Sequence, residues 1–194
     1  MLITGATSGI GEATARAAAA TGEFALIVTG RRADRLEGLV RALRSMGADV
    51  ESLVFDVRDR SVVQAACEAI PMDWVPQVLV NNAGLAVGLS SIDQGEFEDW
   101  DRMLDTNVKG LLNVVRMLAP RMGAGSRIVN VGSVAGRQAY PGAAVYNASK
   151  FAVDGLTQAM RMDLLPRGIQ VIQISPGHSA TRSTTRRFHG GGDP

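Results

Sequence analysis

Six short runs of apolar, mostly β-branched residues punctuate this chain, and the segments between them carry helical periodicity. The runs are Leu2–Thr4, Ala25–Thr29, Val50–Phe55, Val78–Val80, Arg127–Val131 and Ile169–Ile174. They are apolar almost throughout instead of alternating, the pattern of strands covered on both faces. Helices are expected over Glu12–Ala20, Arg35–Met46 and Val62–Ile70. A long fourth helix follows the 3–4 spacing of Phe97, Trp100, Leu104, Val108, Leu111, Val115, Leu118 and Met122. A fifth carries Val145, Ala152, Leu156, Met160 and Leu164, with Pro166 and Gly168 to end it. Parallel neighbours need crossover helices, so this alternation predicts an α/β fold, a doubly wound parallel sheet with helices on both faces. Such sheets bind ligands at the carboxyl ends of their strands, and the motifs with chemical content fall there.

The first run leads directly into T-G-A-T-S-G-I-G and then into a helix. Gly5, Gly9 and Gly11 permit a tight turn and close approach of a pyrophosphate. With Ala6, Thr7, Ser8 and Ile10 they form a loop at a helix start, whose free N–H groups suit that charge. An ordinary glycine-rich turn is the bland alternative, and the flanking strand and helix count against it. Cofactor choice is read after the second strand, where a site for NAD places an acid on the ribose 2′-hydroxyl. Gly30 stands in that place, followed by Arg31 and Arg32, and two guanidiniums suit a 2′-phosphate. A solvated arginine pair opening a helix is the competing reading, but cations match a helix start poorly. The expected cofactor is NADP (NADPH).

V-Y-N-A-S-K places Tyr146 and Lys150 four residues apart, on one face of a helix. A tyrosine is a poor base at neutral pH, and a neighbouring ammonium favours its phenolate. Ser133, in N-V-G-S at the end of the fifth strand, supplies a hydroxyl that can hold a substrate oxygen as charge develops. A tyrosine–lysine pair alone can be a chance surface pair, but with Ser133 and the glycine loop upstream the three read as the proton-handling group of a hydride-transfer enzyme, with Tyr146 as acid and base.

The rest of the composition narrows the field. At 194 residues one domain is expected, with roughly 70% of the unfolded surface buried. A net charge of +1 gives no bulk electrostatic reason for a nucleic-acid or membrane partner. No apolar run reaches the length of a bilayer span, and M-L-I-T-G does not read as a secretion signal. Cys67 is the only cysteine, so no internal disulfide or cysteine-rich zinc site is expected, and the natural expectation is a cytoplasmic protein. His178 and His189 lack the acidic or cysteine company of a metal site, and no metal is expected. Cys67 reads as a small apolar helix residue, and Trp74 and Trp100 as packing residues. Arg182, Arg186 and Arg187 form either a solvated loop or a clamp for a substrate carboxylate.

In this order T-G-A-T-S-G-I-G (Thr4–Gly11), Asp56-Val57, N-N-A-G (Asn81–Gly84), Asn107, Ser133, Tyr146, Lys150 and P-G-x-x-x-T (Pro176–Thr181) resemble the short-chain dehydrogenase/reductase family, which has a Rossmann fold. G-R-R-A-D-R-L, N-N-A-G-L-A-V-G and E-D-W-D-R-M-L-D-T-N further resemble its NADP-dependent 3-hydroxy acid (serine-type) dehydrogenases. The resemblance implies that Asp56 and Val57 contact the adenine, and that Asn81, Ala83 and Gly84 border the adenine-side ribose. It implies that Lys150 donates to the nicotinamide ribose, and that Asn107 holds a water linking Lys150 to solvent. Pro176, Gly177 and Thr181 would lie against the nicotinamide half. It also implies a homo-oligomer, a dimer or tetramer formed through the two long helices.

Family members usually continue with another helix and a seventh strand, whereas this sequence ends in G-G-G-D-P. The expectation is one catalytic domain over residues 1–181, lacking those elements, and a flexible substrate lid over residues 182–194. Arg182 follows the threonine of P-G-x-x-x-T where the subgroup commonly has an acid, which leaves the substrate open. The leading reading is an NADP-dependent oxidoreductase of a small 3-hydroxy acid or related alcohol/carbonyl pair. A general carbonyl or 3-oxoacyl reductase and a non-catalytic NADP-binding subunit stand as alternatives.

Overall fold

The computed structural model describes residues 1–177. Thr181, the two histidines, the three tail arginines and the 182–194 segment lie outside the described residues. Six parallel strands form one sheet in the order β3-β2-β1-β4-β5-β6. They are β1 (Leu2–Ile3), β2 (Leu26–Gly30), β3 (Val50–Val54), β4 (Val78–Asn81), β5 (Arg127–Val131) and β6 (Gln170–Ile174). The helices are α1 (Gly9–Thr21), α2 (Ala33–Ser45), α3 (Arg60–Glu68), α4 (Phe97–Leu104), α5 (Gly110–Leu118) and α6 (Ala144–Leu164). The doubly wound, three-layer architecture read from the sequence is the one present. Among the described residues no helix is long and apolar enough to cross a membrane.

The sheet separates two apolar layers because successive strand residues point to opposite faces. Leu2, Ile27, Leu79 and Ile128 pack with α3, α5 and α6 through Val63, Leu111, Leu118 and Val153. Ile3, Leu26, Val28 and Val80 pack with α1 and α2 through Ala15, Leu36, Leu39 and Leu43. The alanine-rich face of α1 lets that helix lie close to the sheet. Asp59 caps α3 by accepting from the N–H groups of Ser61 and Val62.

Two expectations need correction. Strands covered on both faces occur at the centre but not at the edges, since β3 exposes Val54 and β6 exposes Ile172 and Ile174. An apolar run reports side-chain preference and not the number of neighbours, so edge position is invisible in it. The long fourth helix is also broken in two by a π turn at Asp105–Lys109. The turn's extra residue rotates the buried face, so Met103 and Asn107 are buried while Phe97 and Leu104 face solvent. Phe97 instead meets Trp100 edge to face, with ring centres 5.2 Å apart.

Candidate active site

A cavity of about 520 Å³ runs along the carboxyl ends of the strands and collects most of the residues singled out above. At one end it is lined by Gly5, Thr7, Ser8, Gly9 and Ile10. Gly5 has φ +65°, and a Cβ there would lie 2.8 Å from the Ala83 Cα, so the loop after β4 presses directly on it. Two sets of hydrogen bonds hold these loops together. The Thr4 hydroxyl accepts from the N–H groups of Asn82 and Ala83, both at 3.0 Å. Asn82 Nδ2 in turn donates to the carbonyls of Thr4 and Gly5 at 2.9 and 3.1 Å. Ala6 and Gly11 are buried behind the loop and do not line the cavity. A Cβ at Gly11 would come within 2.3 Å of Asn82 Nδ2.

The two arginines after β2 have different surroundings. Arg32 Nη2 donates to the Thr7 hydroxyl at 2.8 Å and to the Ser8 hydroxyl at 3.3 Å, which braces the glycine loop. Arg31 meets Asp56 Oδ2 at 3.4 Å, a long contact on a half-exposed side chain. Asp56 is chiefly held by Arg58, whose Nη2 lies 2.7 Å from Oδ2. Burial pushes the Asp56 carboxyl up, but the Arg58 hydrogen bonds and the charges of Arg58 and Arg31 outweigh it and hold it below the usual range. Gly30 and Val57 also line this end. A Cβ at Gly30 would lie 2.7 Å from Thr7 Cγ2, so a side chain at the position that an NAD site gives to an acid would have to displace Thr7 of the glycine loop. That crowding, with Arg31 alongside, fits a 2′-phosphorylated dinucleotide.

At the other end Ser133, Tyr146 and Lys150 line the same cavity, joined by Leu85, Val134 and Tyr140. Ser133 leads the short turn Val134–Gly136, its hydroxyl accepting from the Ala135 N–H at 3.2 Å. That turn lies hard against α6, since a Cβ at Gly136 would be 2.5 Å from the Lys150 carbonyl oxygen. Such closeness fixes Ser133 relative to the tyrosine and lysine. The Lys150 ammonium donates to the Val131 carbonyl at 2.9 Å. Lys150 and Tyr146 are both nearly buried, each 8% exposed.

Four of the candidate residues need separate comment. Asn107 is buried in the π turn, accepting from Leu85 N–H at 2.8 Å and donating to the Leu85 carbonyl and the Ser149 hydroxyl. It does not line the cavity, and its described bonds tie the loop after β4 to α6. Asn81 does not line it either, because strand alternation turns its side chain into the opposite layer. There its Nδ2 donates to Asn130 Oδ1 at 2.9 Å, and Asn130 Nδ2 donates to the Thr157 hydroxyl. The neighbouring Asn82 takes the cavity position with Ala83 and Gly84, and period-two alternation was the signal for it. Pro176 and Gly177 line the cavity after β6. Arg58 and Tyr140 were also missed by the sequence reading.

Comparison with known proteins gives a consistent result. The family model for short chain dehydrogenases matches residues 1–190. A sulfoacetaldehyde reductase of Chromohalobacter salexigens is 45% identical over 98% of this chain and 76% of its own length. An NADP-dependent 3-hydroxy acid dehydrogenase of Salmonella typhi is 40% identical over 98% of this chain and 77% of its own. Among solved structures, the closed form of a serine dehydrogenase complexed with NADP+ matches 97% of this chain and 76% of its own at 36% identity, with a TM-score of 0.89.

Proposed function

Because the chain belongs to the short-chain dehydrogenase family, we propose that it is an NADP-dependent oxidoreductase of a small anionic alcohol/carbonyl pair, with Tyr146 as its acid and base. The observation that carries this reading is the convergence of Ser133, Tyr146 and Lys150 on one end of a cavity whose other end presents Arg31 and the glycine loop. Gly5, Thr7, Ser8, Gly9, Ile10, Arg31, Asp56, Val57, Ala83 and Gly84 would hold NADP(H), with Asn82 securing the loops around it. Bound there, the cofactor supplies or accepts a hydride at the carbon bearing the oxygen.

The chain's own residues handle the proton and the geometry. In the reductive direction the Tyr146 hydroxyl gives its proton to the substrate oxygen, and in the oxidative direction it takes one. The Ser133 hydroxyl orients that oxygen and stabilises charge on it. The Lys150 ammonium, anchored on the Val131 carbonyl, would donate to the nicotinamide ribose and so hold the cofactor beside Tyr146. Asn107 would act by holding the loop of Leu85 against α6.

The substrate class rests on two relatives, named for sulfoacetaldehyde and for 3-hydroxy acids. Both substrates pair a short carbon chain with an anionic group. A 3-hydroxy acid is the leading choice, and the 45% identity to the sulfoacetaldehyde reductase favours a sulfonate aldehyde as the second reading. Turnover is to be measured with NADPH or NADP+ against serine, another 3-hydroxy acid, sulfoacetaldehyde and an uncharged carbonyl of similar size. Preference for the uncharged compound would sink the anionic class, and no turnover with any would sink the enzyme reading. A homo-oligomer through α4–α5 and α6 is part of the proposal, supported by exposed Phe97, Leu104, Leu112 and Phe151, and sedimentation would test it.

A further inference from the structure

Asp56 sets a problem for the cofactor end of the cavity. Its carboxylate lines the cavity beside Arg31, where a 2′-phosphate would also be held. Two anions sharing one guanidinium repel each other and compete for its donors. Left to itself Asp56 would both draw Arg31 away and disfavour the phosphate.

Arg58 answers that problem from outside the cavity, which it does not line. Its backbone N–H donates to Asp56 Oδ1 at 3.0 Å, and its Nε reaches Oδ1 and Oδ2 at 3.1 Å each. Its Nη2 completes the fork on Oδ2 at 2.7 Å. Both carboxylate oxygens are therefore occupied by Arg58. The Arg31 contact, at 3.4 Å, is longer than charge-assisted hydrogen bonds usually are, while the Arg58 contact falls within that range. The negative charge of Asp105 on the π turn, itself paired with Lys109, adds a weaker attraction for the Arg58 guanidinium.

We propose that Arg58 is a positioning residue for cofactor choice: it neutralises Asp56 and so leaves Arg31 for the 2′-phosphate of NADPH. This rests on the NADP reading of the site and deepens it. The acid that an NADP site must avoid after β2 is absent there, but one remains after β3, and Arg58 masks it. The second residue of the D-V-R sequence packs inward, and the third turns back on the first.

Titration of NADPH and NADH by cofactor fluorescence, without substrate, tests the proposal. Arg58→Met is expected to weaken NADPH binding about tenfold while leaving NADH within about twofold, as expected for one uncovered charge near a partly exposed site. Adding Asp56→Asn in the same chain is expected to restore most of the NADPH-over-NADH preference, because the charge that Arg58 covered is gone. Equal loss for both cofactors, or no recovery in the double variant, would show that Arg58 only stabilises the turn and would overturn the proposal. A wild-type protein that binds both cofactors equally would overturn the proposal and the NADP reading together. A wild-type preference that persists unchanged in Arg58→Met would overturn the role of Arg58 alone. Arg58→Lys serves as a second variant should Arg58→Met not fold. It retains the charge and gives up the fork, so an NADPH loss well short of tenfold is expected, whereas a loss of tenfold or more that spares NADH would contradict neutralisation as the cause.

Discussion

The two ends of the cavity are built from polar side chains under opposite conditions. At the end that faces the glycine loop, Arg31 is 54% and Arg58 35% exposed in their side chains, and their bonds to Asp56 are largely open to water. At the end that holds Ser133, Tyr146 and Lys150, the polar groups are buried, and Asn107 behind them is only 2% exposed. Exposed ion pairs are individually worth about 0–1 kcal/mol and are weakened by salt. A buried polar group that loses its partner costs about 1–3 kcal/mol. The first end can therefore change its choice of anion with little effect on the fold. The second end trades in geometry, and disturbing it costs either rate or stability.

The largest effects should come from the buried end. Tyr146→Phe removes one hydroxyl and little volume, so cofactor binding should hold while turnover falls by about 10²–10⁴-fold, the contribution of a positioned proton donor. Steady-state rates beside a cofactor titration decide it, and a loss below tenfold would mean that another group carries the proton. Next comes Asn107→Leu. It leaves the Leu85 N–H and the Leu85 carbonyl without their described partner and removes the donor to the Ser149 hydroxyl, which keeps its own bond to the Tyr146 carbonyl. The expected destabilisation is about 2–4 kcal/mol, measured by urea unfolding. A change below about 1 kcal/mol would show that those groups find water and that this end is less closed than its burial suggests.

What was legible in the sequence divides along similar lines. The glycine loop, the arginine pair and the tyrosine–lysine spacing are local patterns, and each could be read without knowing what lies across the sheet. The π turn could not, because D-T-N-V-K holds no proline or glycine to mark a break. What ties it in place is Asn107, bonded to Leu85 in the loop after β4 and to Ser149 on α6. Asn81 and Asn82 look equivalent as letters, and only the register of β4 decides which turns toward the cavity. The edge position of β3 depends on pairing between segments far apart in the chain. Arg58 was recoverable in principle, since an arginine two residues after an acid in a turn can fold back on it. The family pattern drew attention to Asp56 and Val57 and away from the residue that governs the charge of the first.

Smaller effects belong to the exposed end. Arg31→Ala should weaken NADPH binding about 10–100-fold, in keeping with 1.5–3 kcal/mol for hydrogen bonds to a charged group. NADH, which lacks the 2′-phosphate, should bind as before. Thermal unfolding should move little, because Arg31 makes one long contact and covers little apolar surface. Equal weakening of both cofactors would place Arg31 on a shared part of the dinucleotide and erase the functional division between the two ends.

The smallest expected effect is also the most direct test of that division. The Debye length falls from about 10 Å at 0.1 M salt to about 3 Å at 1 M. The attraction between Arg31 and a 2′-phosphate passes through water and should be screened, so the ratio of NADPH to NADH affinity should shrink about threefold over that range. The contacts of Lys150 with the Val131 carbonyl and of Asn107 with Leu85 are shielded by protein and should not respond in the same way. Accordingly the single-turnover rate at saturating NADPH should stay nearly constant while the affinity ratio falls. A non-coordinating salt is needed, because phosphate or sulfate would compete for Arg31 directly. If the rate fell in step with the ratio, the buried end would be as open to ions as the exposed one, and burial could not be what separates specificity from chemistry here. If neither changed, Arg31 would have to meet the phosphate in a desolvated contact, and its substitution should then cost more than the hundredfold upper limit given above.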